Sequence, residues 1–407
     1  MVYGFGQAVN LISPLLITPY LIYTCGLEKL GVIAIGQAMA YILIVFVDYS
    51  SYIVGVKEIA INRNDQTKLE ELFTTIYVAK AILFLGVVLL CVTLLFLIPN
   101  SSNYALPLLY SLAIVAGQFI NPTWFFQGVE NFSWITIINV LGKVLYVAGV
   151  LVFIHSADAY VYANFWLGFG AVIANLIGVG YILHRYGFSF KRFSFTAVKT
   201  LLVSDFSFCV SQFFFAVRNY AAVMIIGFFA GDFVAGKFKV IEQIITLLRT
   251  YLQLFFKFSY SYVCFEIDQN VQKGLRLWQK FNGLNYLLLL LIVAVLYAYS
   301  AQTLLFFKVD PHLVPGFVSY LQLALIIPLL IGITLPLEQL LFGLNKNKVY
   351  IQLTIGSTIV NVSMTALVMR YFELKQVLGL FIFIEAALIF CYYLVLKPYF
   401  SATKTTA

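Results

Sequence analysis

Seven of the chain's 25 lysines and arginines lie inside long apolar stretches: Lys80, Lys143, Arg218, Lys237, Lys239, Arg249 and Lys257. A charge in hydrocarbon costs roughly 2.5–3.5 kcal/mol on insertion scales, so each needs a partner, a wet cavity or an interface. At 100° per residue, Lys239, Glu242, Arg249, Gln253 and Lys257 fall within an arc of about 80° on one helix, and Lys237 points away from it. Lys239 to Lys257 then covers about 27 Å, nearly the apolar thickness of a bilayer. Lys143 and Arg218 add cations near the middle of two further stretches. A basic path through hydrocarbon suits an anionic cargo, and Lys143, Arg218, Lys239 and Arg249 are the expected contacts to its head group.

Other readings compete for some of these residues. Lys80 and Lys257 lie within a turn or two of a helix end and are expected to snorkel to the interface. Arg249 with Glu242 is also readable as a structural ion pair. The acidic groups Asp48, Glu242, Glu338 and Glu385 sit inside apolar stretches too, with Asp205 at the edge of one. They suit either binding of a coupling proton or sodium ion or neutralisation of a neighbouring cation. Pro14, Pro19, Pro328 and Pro336 free backbone carbonyls and mark candidate hinges.

The elements that carry these residues follow from composition. Of the 407 residues 62% are hydrophobic, 17% aromatic and 10% charged, with mean hydropathy +0.96. A water-soluble domain carries about 25% charged residues, so a soluble enzyme is excluded, as are disordered and coiled-coil chains. About 20 apolar residues make one helical crossing, and twelve such runs can be placed. They are Val2–Cys25, Leu30–Val56, Thr75–Ile98, Tyr104–Phe126, Ser133–Phe153, Tyr160–Leu183, Ser204–Phe229, Phe233–Phe258, Phe281–Phe307, Val318–Phe342, Tyr350–Met369 and Val377–Leu396. Long continuous runs exclude a barrel, whose strands are short and alternating. The expectation is an all-α polytopic membrane protein.

Lysine and arginine orient it. Placing the segment between the second and third runs inside puts fourteen basic residues on that face, among them Lys57, Arg63, Arg185, Lys191, Arg192, Lys273 and Lys404, against Lys29, Lys308, Arg370 and Lys375 outside. The positive-inside rule then puts both termini in the cytoplasm. The net charge of +8 is therefore topology and cargo, with no call for nucleic acid. Shifting the sequence by 205 residues lays Gln7 on Gln212, Pro14 on Asn219, Gly26 on Gly231, Gly31 on Gly236 and Gln37 on Glu242. That suggests a parallel duplication of six helices, with lobes at 1–198 and 199–407.

Enzyme chemistry finds little footing. The five cysteines are scattered without C-x-x-C spacing, and the three histidines lie at expected helix ends with no nucleophile constellation. Gly231-Asp-Phe-Val-Ala-Gly-Lys237 mimics a P-loop, but Phe238 stands where Ser or Thr is required. No metal or cofactor is called for.

Several stretches carry a family pattern: Ser13-Pro-Leu-Leu-Ile-Thr-Pro-Tyr-Leu21, Gly31-Val-Ile-Ala-Ile-Gly-Gln-Ala38, Asp48-Tyr49, Lys57-Glu-Ile-Ala-Ile-Asn-Arg-Asn-Asp65 and Trp124-Phe-Phe-Gln-Gly-Val-Glu130. With Leu344-Asn-Lys-Asn-Lys348, Val360-Asn361, Gly379 and Glu385 they resemble the polysaccharide biosynthesis flippases of the multidrug/oligosaccharidyl-lipid/polysaccharide (MOP) superfamily. Family members usually carry a short basic segment before the first helix, so a truncated start is expected. The resemblance implies about 12 transmembrane helices in two six-helix lobes around a central cavity. It also implies movement of undecaprenyl-pyrophosphate-linked oligosaccharide from the cytoplasmic to the outer leaflet of the bacterial inner membrane, for O-antigen or capsule synthesis. Membrane lipid, a polysaccharide polymerase and a chain-length regulator are the implied partners, and a proton or sodium gradient the implied drive. The alternatives are a cation-coupled multidrug exporter of the same superfamily, which would favour acidic sites, and a polytopic polymerase, for which the short loops leave no room.

Overall fold

The computed structural model describes residues 2–97, 102–190, 194–344 and 346–402. Lys191, Arg192 and Lys404 of the orientation argument lie outside the described residues, as does Asn345. Of the described residues 91% are helical, and no strand occurs among them. Among those residues ten helical stretches are long and apolar enough to cross a membrane. The twelve expected runs map onto them once two facts are added. The stretch Ile12–Asp48 holds the first two runs, and the eighth run lies on a helix too charged to count among the ten.

The chain divides into two compact units, Met1–Gly227 and Phe228–Ala407. The first contains α1 (Val2–Asp48), a π-helical turn (Ser51–Gly55), α2 (Val56–Ile61), α3 (Gln66–Leu97), α4 (Ser102–Ile120), α5 (Thr123–Gly128), α6 (Phe132–Phe153), a 3-10 turn (Ala157–Val161), α7 (Tyr162–Tyr186), α8 (Phe195–Ser204) and most of α9 (Phe206–Ala230). The second contains α10 (Asp232–Gln269), α11 (Val271–Ala298), α12 (Ser300–Phe306), α13 (Val314–Ala324), α14 (Ile326–Gly343), α15 (Asn347–Tyr371) and α16 (Leu374–Ala402). The six-and-six division expected at 198/199 partitions a duplicated sequence, whereas these units are a partition by packing. Helix α9 goes with the first unit because it leans on α1: the tilted rings of Tyr220 and Tyr41 lie 4.9 Å apart, and those of Phe213 and Phe46 5.4 Å.

The first unit is held by close approach of helices. α7 packs on α4 and α6, and α1 on the same two. Glycine makes the contact possible: a Cβ on Gly168 would stand 2.1 Å from the Ala113 carbonyl carbon, and one on Gly170 2.6 Å from the Gly142 oxygen. Such small-residue contacts are how helices associate where lipid removes the hydrophobic incentive. Asn164 and Asn175 on α7 add buried bonds, donating to the Ile33 oxygen at 2.9 Å and the Gly117 oxygen at 2.8 Å. An aromatic core closes the other end. Trp124, Phe125 and Phe126 of α5 are fully buried with Phe73, and Gly128 lets α5 press against Ile59 of α2. Two of the sequence stretches carrying the family pattern are thus halves of one packed contact.

Two glycines replace loops. Gly26 splits α1 into two passes with φ 82° and ψ 170°. Gly231 does the same between α9 and α10 with φ 85° and ψ 170°. These are the positions that the 205-residue shift superimposes, and the shared backbone state is one that essentially only glycine adopts. Nothing lies within 4 Å of a Cβ built at either one. Gly26→Ala and Gly231→Ala should each therefore cost about 1–3 kcal/mol through the backbone alone. Thermal melting of the purified protein in detergent checks this, and unchanged melting at both would refute it.

Of the prolines, Pro14 and Pro19 lie inside α1 and Pro336 inside α14. Pro328 has no N–H to give the Ala324 carbonyl, and that is where α13 ends and α14 begins. Leu325 between them stays near helical at φ −66° and ψ −11°, so the tenth run is one lightly interrupted crossing.

Candidate functional site

The four cations expected to face cargo separate between the units. Lys143 on α6 and Arg218 on α9 belong to the first, and Lys239 and Arg249 on α10 to the second. All four are half-buried. Lys239 bonds Glu242 one turn on, at 2.9 Å, with both side chains about one-fifth exposed. The pair follows from their i,i+3 spacing. Further along the stripe, Gln253 and Lys257 are exposed. Helix α10 has 38 residues and so reaches about 57 Å, well beyond one hydrocarbon thickness. Near its end Glu266 accepts from Lys273 of α11 at 2.8 Å.

Lys143 is different. It sits halfway along α6 with its ammonium 5.9 Å from the centre of the Tyr146 ring, and no acidic partner for it occurs among the described residues.

The acidic positions each meet a partner. Asp48 ends α1 and forms an ion pair with Lys80 of α3 at 3.2 Å. The same carboxylate accepts from Ser51 at 2.8 Å, and Lys80 also donates to the Gln118 oxygen of α4 at 3.0 Å. Lys80 is only 1% exposed. The expectation that it snorkels is therefore corrected: its stem runs inward to a carboxylate instead of outward to the interface. Sequence held a signal for this. Asp48 lies near the end of one pass and Lys80 near the start of the next, so two opposite charges share a depth on consecutive antiparallel helices.

Around this pair the chain turns sharply. Tyr49 takes a left-handed φ of 50°, uncommon for a bulky residue, and a π-helical turn follows at Ser51–Gly55. Tyr49 donates to the Leu202 oxygen and Ser50 to the Asp205 carboxylate, which pins the α8–α9 junction to the end of α1. Asp48, Ser50, Glu58, Lys80 and Asp205 line a cavity of about 40 Å³. That is room for about one water molecule. No group of three His, Cys, Asp or Glu side chains able to hold a metal occurs among the described residues.

In the second unit Glu338 is 8% exposed and accepts from Tyr392 at 3.4 Å, while Glu385 accepts from Thr334 at 3.1 Å. Beside them Gln339, fully buried, donates to Ser259 at 3.0 Å and accepts from Asn282 at 3.3 Å. The Trp278 indole donates to the Pro336 oxygen at 3.0 Å. Polar groups of α10, α11, α14 and α16 thus satisfy one another inside an apolar unit. Sequence reasoning singled out the two glutamates and missed Gln339, Ser259 and Asn282, whose neutral side chains attract no attention until they meet.

Comparison with known proteins agrees with this architecture. Residues 1–259 match a family model described as "Polysaccharide biosynthesis protein". A protein of Escherichia coli strain K12 named "Putative O-antigen transporter" is 24% identical over 274 residues, covering 67% of this chain and 66% of that relative's own length. Its namesake from Shigella dysenteriae is 23% identical over 58% of this chain and 60% of its own. Among solved structures, an inward-facing multidrug resistance MATE family transporter of the MOP superfamily aligns over 98% of this chain and 99% of its own at TM-score 0.64 and 16% identity. A MATE multidrug transporter in complex with R6G aligns with the same score and identity over 98% and 93%. At such identity these two establish the fold: a multi-pass, all-helical membrane protein of MATE type, a group with about 12 helices. With the family pattern matched across well over half its length, the chain belongs to the polysaccharide biosynthesis protein family.

Proposed function

We propose that this protein is a flippase that moves undecaprenyl-pyrophosphate-linked oligosaccharide from the cytoplasmic to the outer leaflet of the bacterial inner membrane, with both termini cytoplasmic. The observation that carries the reading is Lys143: an ammonium midway along an apolar helix, half-buried, with an aromatic ring and no acidic partner among the described residues. A lone cation at that depth is costly unless it faces water or an anion, and a pyrophosphate supplies the anion. The names of the curated relatives favour the same cargo class. Arg218, Lys239 and Arg249 extend the cationic path in this reading. Alternating access by two six-helix lobes, hinge action at Pro14, Pro19, Pro328 and Pro336, and drive by a proton or sodium gradient through Asp48, Glu242, Glu338 or Glu385 belong to the same proposal. So do a polymerase and a chain-length regulator as partners, and no enzymatic step.

Cells lacking the gene should accumulate lipid-linked repeat units on the cytoplasmic face and lose surface polysaccharide. Arg218→Gln and Arg249→Gln should each lower export about tenfold or more, the scale of one charge-assisted contact. Normal surface polysaccharide in the double variant would refute the reading, and restored dye resistance without restored polysaccharide would point to a drug exporter.

A further inference from the structure

A succession of tyrosines on three helices of the first unit starts at Lys143. Tyr146 is one turn on along α6 and 5% exposed, with its ring facing the Lys143 ammonium. Tyr41 lies on α1, which packs on α6, and is within electrostatic reach of Tyr146. Tyr41 in turn packs against Tyr220 of α9, the ring centres 4.9 Å apart and the planes inclined by 36°. Tyr41, Lys143 and Tyr220 are each half-buried.

Placement separates this cluster from ordinary membrane tyrosines. Interfacial tyrosines form belts at the two helix ends, with their hydroxyls in the head-group layer. Tyr41, Tyr146 and Tyr220 each lie at least seven residues inside the ends of α1, α6 and α9, about 10 Å deep or more. A phenol at that depth needs polar company. The Tyr41 and Tyr220 rings also stay half-buried, unlike those of Phe73, Trp124 and Phe125 in their dry core. One of the three tyrosines, Tyr146, faces a lysine that has no acidic partner among the described residues.

We propose that Lys143, Tyr146, Tyr41 and Tyr220 form a binding subsite for the junction between phosphate and first sugar of the cargo, an inference that rests on the flippase reading. Lys143 takes the phosphate nearest the sugar, held in place by the Tyr146 ring. Tyr41 and Tyr220 present ring faces and hydroxyls to the sugar. A pyranose face carries C–H groups of slight positive charge, which suit the negative face of an aromatic ring, and its hydroxyls suit phenolic oxygens. The subsite therefore reads whether a lipid pyrophosphate carries sugar.

The test uses purified full-length protein in detergent with two probes, undecaprenyl pyrophosphate and the same lipid carrying the oligosaccharide repeat unit, with binding measured by microscale thermophoresis. The native protein should bind the sugar-bearing lipid about tenfold more tightly, the worth of one good aromatic contact with its hydrogen bond. Tyr41→Leu and Tyr220→Leu should shrink that ratio below about threefold and leave the bare lipid's affinity unchanged. Tyr41→Phe, which keeps the ring, should retain most of the preference. Lys143→Met should weaken both lipids about tenfold, and Lys143→Arg should restore both. If the leucine variants fail to fold, Tyr41→Gln and Tyr220→Gln should show the same loss. A sugar preference undiminished in the folded ringless variants would overturn the subsite and leave the flippase reading standing. A native protein that binds neither lipid overturns both.

Discussion

Alanine at Gly168 should destabilise the protein by about 3 kcal/mol or more, the upper end of overpacking costs. The added methyl would meet the Ala113 carbonyl carbon at 2.1 Å, the Ile114 nitrogen at 2.3 Å and the Ala113 oxygen at 2.4 Å, all backbone atoms of α4. A side-chain end can swing aside, but a helix backbone can yield only by moving the whole helix. Separating α4 from α7 would also stretch the bond from Asn175 to the Gly117 oxygen, now 2.8 Å. Gly180, on the same helix, is the control, because nothing lies within 4 Å of its built Cβ. Gly180→Ala should be neutral or stabilising by up to about 1 kcal/mol, since alanine is the better helix former. Thermal melting of both variants in one detergent separates the cases, and equal melting would refute the close-contact account.

The second large effect is expected at the Asp48–Lys80 pair. Lys80→Met or Asp48→Asn alone should cost about 3–5 kcal/mol, because each leaves a charge uncompensated in a buried site. The double variant should recover most of that loss: the amide introduced by Asp48→Asn could still accept from Ser51, and the methionine introduced by Lys80→Met fills the lysine stem's volume. A double-mutant cycle on melting or on denaturant resistance measures the coupling. Single variants within about 0.5 kcal/mol of the parent would mean that water reaches the pair freely. The prediction differs in kind from that for Arg218 and Arg249, whose loss should reduce export while the fold survives.

Crossing helices were legible because apolar run length reports directly on bilayer thickness, and the runs holding Lys143, Arg218 and Arg249 were all found as helices. The Gly26 and Gly231 elbows were half visible, as a coincidence of glycines at a fixed shift. Sequence reports residue type, and the φ value that requires glycine belongs to the backbone. Pairing across helices was hidden. Lys80 and Asp48 are separated by 32 positions, and a lysine stem is equally able to run inward or outward, so only the packing of α1, α3 and α4 decides. Lys239 and Glu242 were readable because three residues along one helix is a contact that requires no tertiary knowledge. The tyrosine cluster was least visible: 27 tyrosines are spread along the chain, and nothing local marks Tyr41, Tyr146 and Tyr220 as neighbours.

The elbow at Gly26 also locks the chain's count. A loop absorbs an inserted residue by bulging, and its flanking helices keep their rotational setting. Here one helix passes into the next through a single residue, so an insertion beside Gly26 rotates everything as far as Asp48 by about 100° and advances it about 1.5 Å. Tyr41 would swing off Tyr220 and the Asp48 carboxylate off Lys80 in the same step. The cluster proposed to read the sugar and the ion pair that braces the unit are thus kept in phase by one glycine, and length there is as constrained as identity.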